Sequence, residues 1–423
     1  MSFTVFKFHP QIQTALDKCG YTAPTPIQQQ AIPQVLSGRD ILGLAQTGTG
    51  KTAAFVLPIL QLLHAGPKGK IRALIIAPTR ELAEQTHEYI GKMAEKTQMR
   101  SIVIYGGVSK HAQIKNIRQG ADIVVACPGR LLDLVNDRAI NLANVEMLIL
   151  DEADHMFDKG FLPDIRRILK NLPKQRQTLV FSATMPTEIR SLAEDILTDP
   201  ATIQVDHTIP TASITHVFYR VEQKDKTTLL KKILREKDIA TAIVFTKTKH
   251  KAKNLALQLQ KNGCKATALQ GNMSQQKRQE AMSGFKNGTY NIMVATDIAA
   301  RGIDVSGISH VINFDMPSTA ETYTHRTGRT GRASCTGEAF TFATTEDHKM
   351  IRGIERALGK NLVFEKAIGL ENNNPPQVTA EKRAQTQQPQ PSRTRKKTGP
   401  ARGKRKSQPT RAAAFDFGLS VGV

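Results

Sequence analysis

The chain has 423 residues, is 40% apolar and carries a formal net charge of +22. That length exceeds what one core usually fills, so two domains and a tail are expected, and the charge calls for a polyanionic partner, nucleic acid ahead of an anionic membrane surface. No apolar run approaches the ~20 residues of a spanning helix, no basic-then-apolar leader follows Met1, and Cys19, Cys127, Cys264 and Cys335 lack metal or disulfide spacing, which suits a reducing cytoplasm.

In chain order, the first half offers short apolar runs at 40–45, 73–77, 101–105, 123–126, 147–150 and 178–181. Each reads as a strand buried on both faces of a parallel sheet. Helical patterns separate them, as at 81–92 and at Ile165, Ile168 and Leu169. The second half repeats the rhythm at 242–245, 266–269, 292–295, 311–314 and 339–342. Two successive α/β sandwiches are expected. The polar, β-branched stretch from Asp206 to Thr215 carries the linker, set at 208–215. It divides a first domain over 1–207 from a second over 216–371. From Asn372 to the end there are eleven Lys/Arg and two acids, a net +9, leaving +13 on the rest. This Gln-, Pro- and Lys/Arg-rich tail, 372–423, cannot bury enough surface to offset its ordering entropy and is expected to be disordered.

The chemistry begins at Ala45-Gln46-Thr47-Gly48-Thr49-Gly50-Lys51-Thr52. Gly48 and Gly50 let backbone N–H groups converge on phosphates, and the helix that follows favours anions at its start. Lys51 is expected to reach the β- and γ-phosphates, and the Thr52 hydroxyl to ligate Mg²⁺. Ala45 stands where this loop usually has its first glycine. Asp151-Glu152-Ala153-Asp154 comes 100 positions after Lys51, directly after Leu148-Ile149-Leu150. Carboxylates there project from the end of a buried strand. Asp151 would hold Mg²⁺, and Glu152 would orient or deprotonate water. In the second half, His325-Arg326-Thr327-Gly328-Arg329-Thr330-Gly331-Arg332 sets three arginines at spacing three. An arginine supplied to a γ-phosphate from another domain makes hydrolysis depend on closure.

With these motifs in order, the chain resembles a DEAD-box ATP-dependent RNA helicase over about residues 3–345. It is similar to the bacterial RhlE-like subgroup. The resemblance rests on Gly20-Tyr21-Thr22-Ala23-Pro24-Thr25-Pro26-Ile27-Gln28 with Phe3 upstream, Pro78-Thr79-Arg80-Glu81-Leu82-Ala83, Gly106-Gly107, Pro128-Gly129-Arg130, the acid box and Ser182-Ala183-Thr184. It continues with Ile243-Val244-Phe245-Thr246, Gln275 with Arg278, Ala295-Thr296-Asp297, Arg301-Gly302-Ile303-Asp304 and the arginine run. It implies two tandem RecA-like parallel-sheet sandwich domains plus the basic tail, with ATP and Mg²⁺ as cofactors. It implies that Gln28 reads the adenine edge, with Phe3 and Tyr21 near the base, and that Asp304 touches the nucleotide. Arg329 and Arg332 would be arginine fingers. Ser182 and Thr184 would couple hydrolysis to strand separation, and His325 would join the nucleotide site to the interface. RNA would contact Pro78, Thr79, Arg80, Gly107, Pro128, Gly129, Arg130, Arg278 and Thr296, largely through its backbone and with weak sequence selectivity. Cys127 stands where the family has threonine. The low aromatic content, 5% with no Trp, disfavours a base-stacking platform. The implied partners are RNA and ribosomal particles or RNA-decay machinery, without a membrane, for a cytoplasmic monomer. An RNA clamp that remodels particles without unwinding, and a DNA-translocating ATPase of the same build, remain the alternatives.

Overall fold

Among the described residues, fourteen strands form two seven-stranded sheets in the computed structural model. The residues described are 2–45, 48–205, 214–300, 307–331 and 336–365. The first sheet comprises β1 (Ile41–Leu44), β2 (Ala73–Ile76), β3 (Ser101–Ile104), β4 (Ile123–Ala126), β5 (Met147–Leu150), β6 (Gln177–Ser182) and β7 (Ala201–Gln204). The second comprises β8 (Ile214–Arg220), β9 (Ala242–Phe245), β10 (Ala266–Leu269), β11 (Ile292–Ala295), β12 (His310–Asn313), β13 (Gly337–Ala343) and β14 (Val363–Glu365). Their orders are β3-β4-β2-β5-β6-β1-β7 and β10-β11-β9-β12-β13-β8-β14. Counted within each sheet the two orders are the same, so the chain builds one RecA-like topology twice. Both sheets belong to one unit, Met1–Asn373.

The inner strands are largely apolar because both faces are covered. Ala73 and Ile75 of β2 enter one apolar cluster, while Leu74 and Ile76 enter another. Ala242 and Val244 of β9 part in the same way from Ile243 and Phe245. The Lys51–Leu63 helix is a core helix, with ten of its thirteen residues buried, so it shows no polar face. No helix among the described residues is long and apolar enough to cross a membrane.

Three strands escape the sequence pattern. β7 is short and half-exposed. β14 is three residues long with an exposed edge. β8 begins at Ile214, inside the span read as linker. Its polar residues Thr215 and His216 hide a strand that gains its place by pairing with β13 over seven residues. The rest of the 208–215 linker and the tail at 372–423 lie outside the described residues.

The order of the central strands matters for chemistry. β5, β6 and β1 are adjacent, with Leu150 opposite Val180 and Leu44 opposite Ser182. Residues more than a hundred positions apart therefore leave one edge of the sheet side by side, at the carboxyl ends where open α/β sheets bind ligands.

Candidate active site

The phosphate loop leaves β1 at Ala45, whose N–H donates to the Ser182 carbonyl across the sheet at 3.0 Å. Gly48 and Gly50 have φ of 85° and 93°, left-handed values that an L side chain resists. Lys51 is buried and its Nζ donates to the Ala45 carbonyl at 2.9 Å. The ammonium thus folds back over its own loop. Thr52 is half-buried one residue on. Gln46 and Thr47 lie outside the described residues.

Gln28 does something the motif did not reveal. It is 2% exposed. Its Oε1 accepts from Thr25 N–H at 2.9 Å and its Nε2 donates to the Gly50 carbonyl at 3.0 Å. Thr25 Oγ1 donates to the Thr49 carbonyl at 2.7 Å. Two residues of the segment expected to read adenine therefore brace the phosphate loop. A Cβ on Gly50 would come within 2.4 Å of Gln28 Nε2. Phe3 is a core residue at 0% exposure, packed edge to face on Tyr21 with centroids 5.6 Å apart. Tyr21 is the half-buried ring of the pair.

β5 delivers the acids. Asp151 is buried, and its Oδ1 has no hydrogen-bond partner. Burial raises its carboxyl to about 6, with Lys51 opposing and Glu152 adding to the rise. An unsatisfied carboxylate oxygen near Lys51 is the donor that a hard divalent cation seeks, so this site fits Mg²⁺. Glu152 sits at φ 53°, ψ 56° as the N-cap of the Ala153–Asp158 helix. Burial alone would raise its carboxyl. The hydrogen bond with His155, helped by Lys51 and Arg329, outweighs burial and pulls it down to about 2. His155 Nδ1 lies 3.2 Å from Glu152 Oε2.

Asp154, to which the sequence assigned no role, ties the acid box to β6. Its N–H donates to Ser182 Oγ at 3.2 Å, and Ser182 Oγ–H donates to the Thr184 carbonyl at 2.6 Å. Thr184 N–H and Oγ1–H both donate to Asp154 Oδ2 at 3.0 Å. Ser182 and Thr184 are thus fixed to the same turn that carries Glu152.

The second lobe supplies the opposite wall. His325 belongs to the Ala320–Thr327 helix, and Arg329 follows it, donating from Nε to the His325 carbonyl at 3.2 Å. Arg329 is 5% exposed. A cleft of about 500 Å³ is lined by Glu152, Asp154, His155 and Thr184 from the first lobe and by His325 and Arg329 from the second. Arg326 of the same run is structural. Its Nε and Nη2 grip the two carboxylate oxygens of Asp297 at 2.5 and 2.8 Å, and its guanidinium lies 5.0 Å over the Phe245 ring. Arg332 and Asp304 lie outside the described residues.

The DEAD/DEAH box helicase profile matches residues 25–192, and the helicase conserved C-terminal domain profile matches 225–334. The DEAD-box ATP-dependent RNA helicase CshA of Bacillus subtilis is 42% identical over 363 residues, spanning 86% of this chain and 73% of that protein. The chain belongs to the DEAD-box ATP-dependent RNA helicases. Among solved structures, S. cerevisiae Dbp5 bound to RNA and ADP BeF3 aligns with a TM-score of 0.79 at 30% identity, covering 87% of this chain and 96% of that one. The DEAD-box helicase Mss116 bound to ssRNA and UDP-BeF aligns with a TM-score of 0.76 at 28% identity, covering 85% and 78%.

In this helicase, the residues expected on the RNA face are placed unevenly. Thr79 is buried, and its hydroxyl accepts Leu82 N–H at 3.1 Å as a helix cap. Pro78 is buried beside it. Arg80 Nη1 donates to Gln275 Oε1 of the second lobe at 2.9 Å and packs on Gly107, where a Cβ would meet it at 2.4 Å. Gly107 has φ 83°. Arg278 reaches across the seam to Glu81, with Nε and Nη2 at 2.7 and 2.6 Å from one carboxylate oxygen. Both side chains are 11% exposed. In this state Arg80 and Arg278 are therefore seam residues as well as candidate phosphate contacts, and the one-dimensional motifs gave no sign of it. Arg130 donates to the Val108 carbonyl and to Gln113 Oε1 at 3.2 and 3.0 Å. Pro128 and Gly129 open the Pro128–Asn136 helix, with Gly129 exposed and open space where a Cβ would point. Thr296 is half-buried just before the Asp297–Ala300 helix. Cys127 caps its helix without a side-chain bond, and burial pushes its thiol up to about 12. It is not a reactive thiolate.

Proposed function

We propose that the chain spends ATP on local separation of RNA duplexes and on remodelling RNA–protein contacts, gated by closure of its two lobes. The observation that carries this reading is the shared cleft: Glu152 of the first lobe and Arg329 of the second line the same space. In this reading Lys51 leaves its loop carbonyl for the β- and γ-phosphates, and the buried Glu152 carboxylate orients or deprotonates the attacking water. Asp151 and Thr52 would hold Mg²⁺, which would supply positive charge against the phosphates. Arg329, with Arg332, stabilises the charge of the transferring phosphoryl group only when the lobes meet. Gln28 discriminates adenine while holding the phosphate loop, so base identity and loop geometry are sensed together.

RNA would run along the seam marked by Arg80, Gly107, Gly129, Arg130, Arg278 and Thr296. A strand bent across two lobes cannot stay paired. The bacterial CshA relatives and the cysteine usage support a cytoplasmic role. Steady-state ATPase assays with RNA or DNA, alongside duplex release, test the proposal. RNA-stimulated hydrolysis and ATP-dependent release are expected. Stimulation by DNA alone would favour a translocase, and hydrolysis without release would favour a clamp. Glu152→Gln should bind ATP and RNA yet turn over very slowly, and Arg329→Ala should keep nucleotide affinity while losing hydrolysis. Near-normal turnover in either variant removes the role assigned to it.

A further inference from the structure

One buried titratable group faces the catalytic acids without a part in the proposed reaction. His155 is the third residue of the short helix that Glu152 caps. A residue at this position often reaches back to bond the N-cap backbone. Here the imidazole reaches back to the N-cap side chain instead, with Nδ1 at 3.2 Å from Glu152 Oε2. The two side chains are 5% and 9% exposed, so little water competes for that bond. At that distance a carboxylate oxygen accepts, which places the hydrogen on Nδ1. The ring's own backbone is fixed too, because His155 N–H donates to Asp154 Oδ1 at 3.0 Å and Asp154 is held by Thr184.

The surroundings explain why Glu152 needs a holder. Its backbone is left-handed, a region disfavoured for an L side chain, and its carboxylate feels two cations, Lys51 and Arg329. An ion pair with either would point the carboxylate at a phosphate-binding group rather than at water. A carboxylate collapsed onto a cation is misplaced for that water.

We infer that His155 is a positioning residue for Glu152: its Nδ1–H holds the carboxylate against the first lobe, away from Lys51 and Arg329, in the orientation that meets the attacking water. The inference rests on the water-activating role proposed for Glu152. Because its bond runs to the Glu152 carboxylate, His155 acts on turnover and not on binding.

The test uses the full chain with His155→Leu, His155→Asn and Glu152→Gln measured in parallel for RNA-stimulated ATP hydrolysis. Leu keeps bulk without a donor. Asn places an amide N–H near the position of Nδ1. Leu is expected to lower kcat about 10- to 100-fold while KM for ATP moves less than about twofold, and Asn to recover most of the loss. A Leu variant with parental kcat, or Leu and Asn variants equally impaired, overturns the inference. Should the Leu variant not fold, the Asn variant decides alone: parental turnover supports a hydrogen-bonding role, and a loss as deep as that of Glu152→Gln refutes it. If Glu152→Gln itself turns over normally, the underlying reading of Glu152 fails instead.

Discussion

The contact between Arg278 and Glu81 makes the sharpest prediction. Two guanidinium nitrogens lie 2.7 and 2.6 Å from one oxygen of Glu81, and both side chains are 11% exposed. Unit charges about 4 Å apart attract by about 4 kcal/mol at an effective dielectric of about 20. Burying both groups removes much of that gain, leaving about 2 kcal/mol of coupling for a charge-assisted pair. Because the pair joins the lobes, this energy weights closure, and about 2 kcal/mol is roughly a 30-fold change in that equilibrium. Glu81→Gln and Arg278→Gln should each lower the closed fraction, measured by fluorescence transfer between probes on the two lobes with RNA and a nonhydrolysable ATP analogue. The double variant should be far less than additive. The exchange Glu81→Arg with Arg278→Glu should recover part of closure. Additive single effects, with coupling below about 0.5 kcal/mol, would mean that Arg278 works independently of Glu81, for instance on an RNA phosphate alone.

Three further outcomes follow from single sites. Gln28→Ala removes the bonds to Thr25 N and Gly50 O, leaving buried groups unpaired at about 1–3 kcal/mol; KM for ATP should rise about tenfold or more, and an unchanged KM would show that the loop holds its shape unaided. Cys127→Thr supplies a hydroxyl to a helix start that lacks a side-chain cap and should stabilise the fold by about 0.5–1 kcal/mol in thermal unfolding; a lower Tm would show that the buried site has no room to turn the hydroxyl. His216, bonded to Tyr323 Oη at 2.7 Å, is pushed down to about 4 by burial. The unfolded chain takes up that proton near pH 6.5 and the folded one only near 4, so stability is full above pH 6.5 and is lost as pH falls through that window. The loss approaches about 3 kcal/mol at about 1.4 per pKa unit. His216→Gln should flatten the fall of denaturation midpoint with acid, and an unchanged slope would assign it to other groups.

Much of the protein was legible in one dimension because its signals are local. A strand buried on both faces must be apolar along its length, so 73–77 or 242–245 announces itself. A phosphate loop needs glycines where φ is positive, and Gly48 and Gly50 sit there. β7 was hidden because it is half-exposed and β8 because its start, Ile214-Thr215-His216, reads as polar linker; only pairing with a neighbour makes them strands. Asp154 and His155 were silent for a related reason, since a short helix gives no sign of which side chain will turn back on its cap. The same holds at the seam. Arg80 and Arg278 advertise a cation, but their partners Gln275 and Glu81 lie 195 and 197 positions away. The two α/β repeats and the phosphate-loop and acid-box motifs could be read along the chain, because periodicity, glycine and charge act over a few residues. Which of those residues face one another emerges in the folded chain, because adjacency of β5, β6 and β1, and contact between the two lobes, are set by long-range packing that no short window of chain contains.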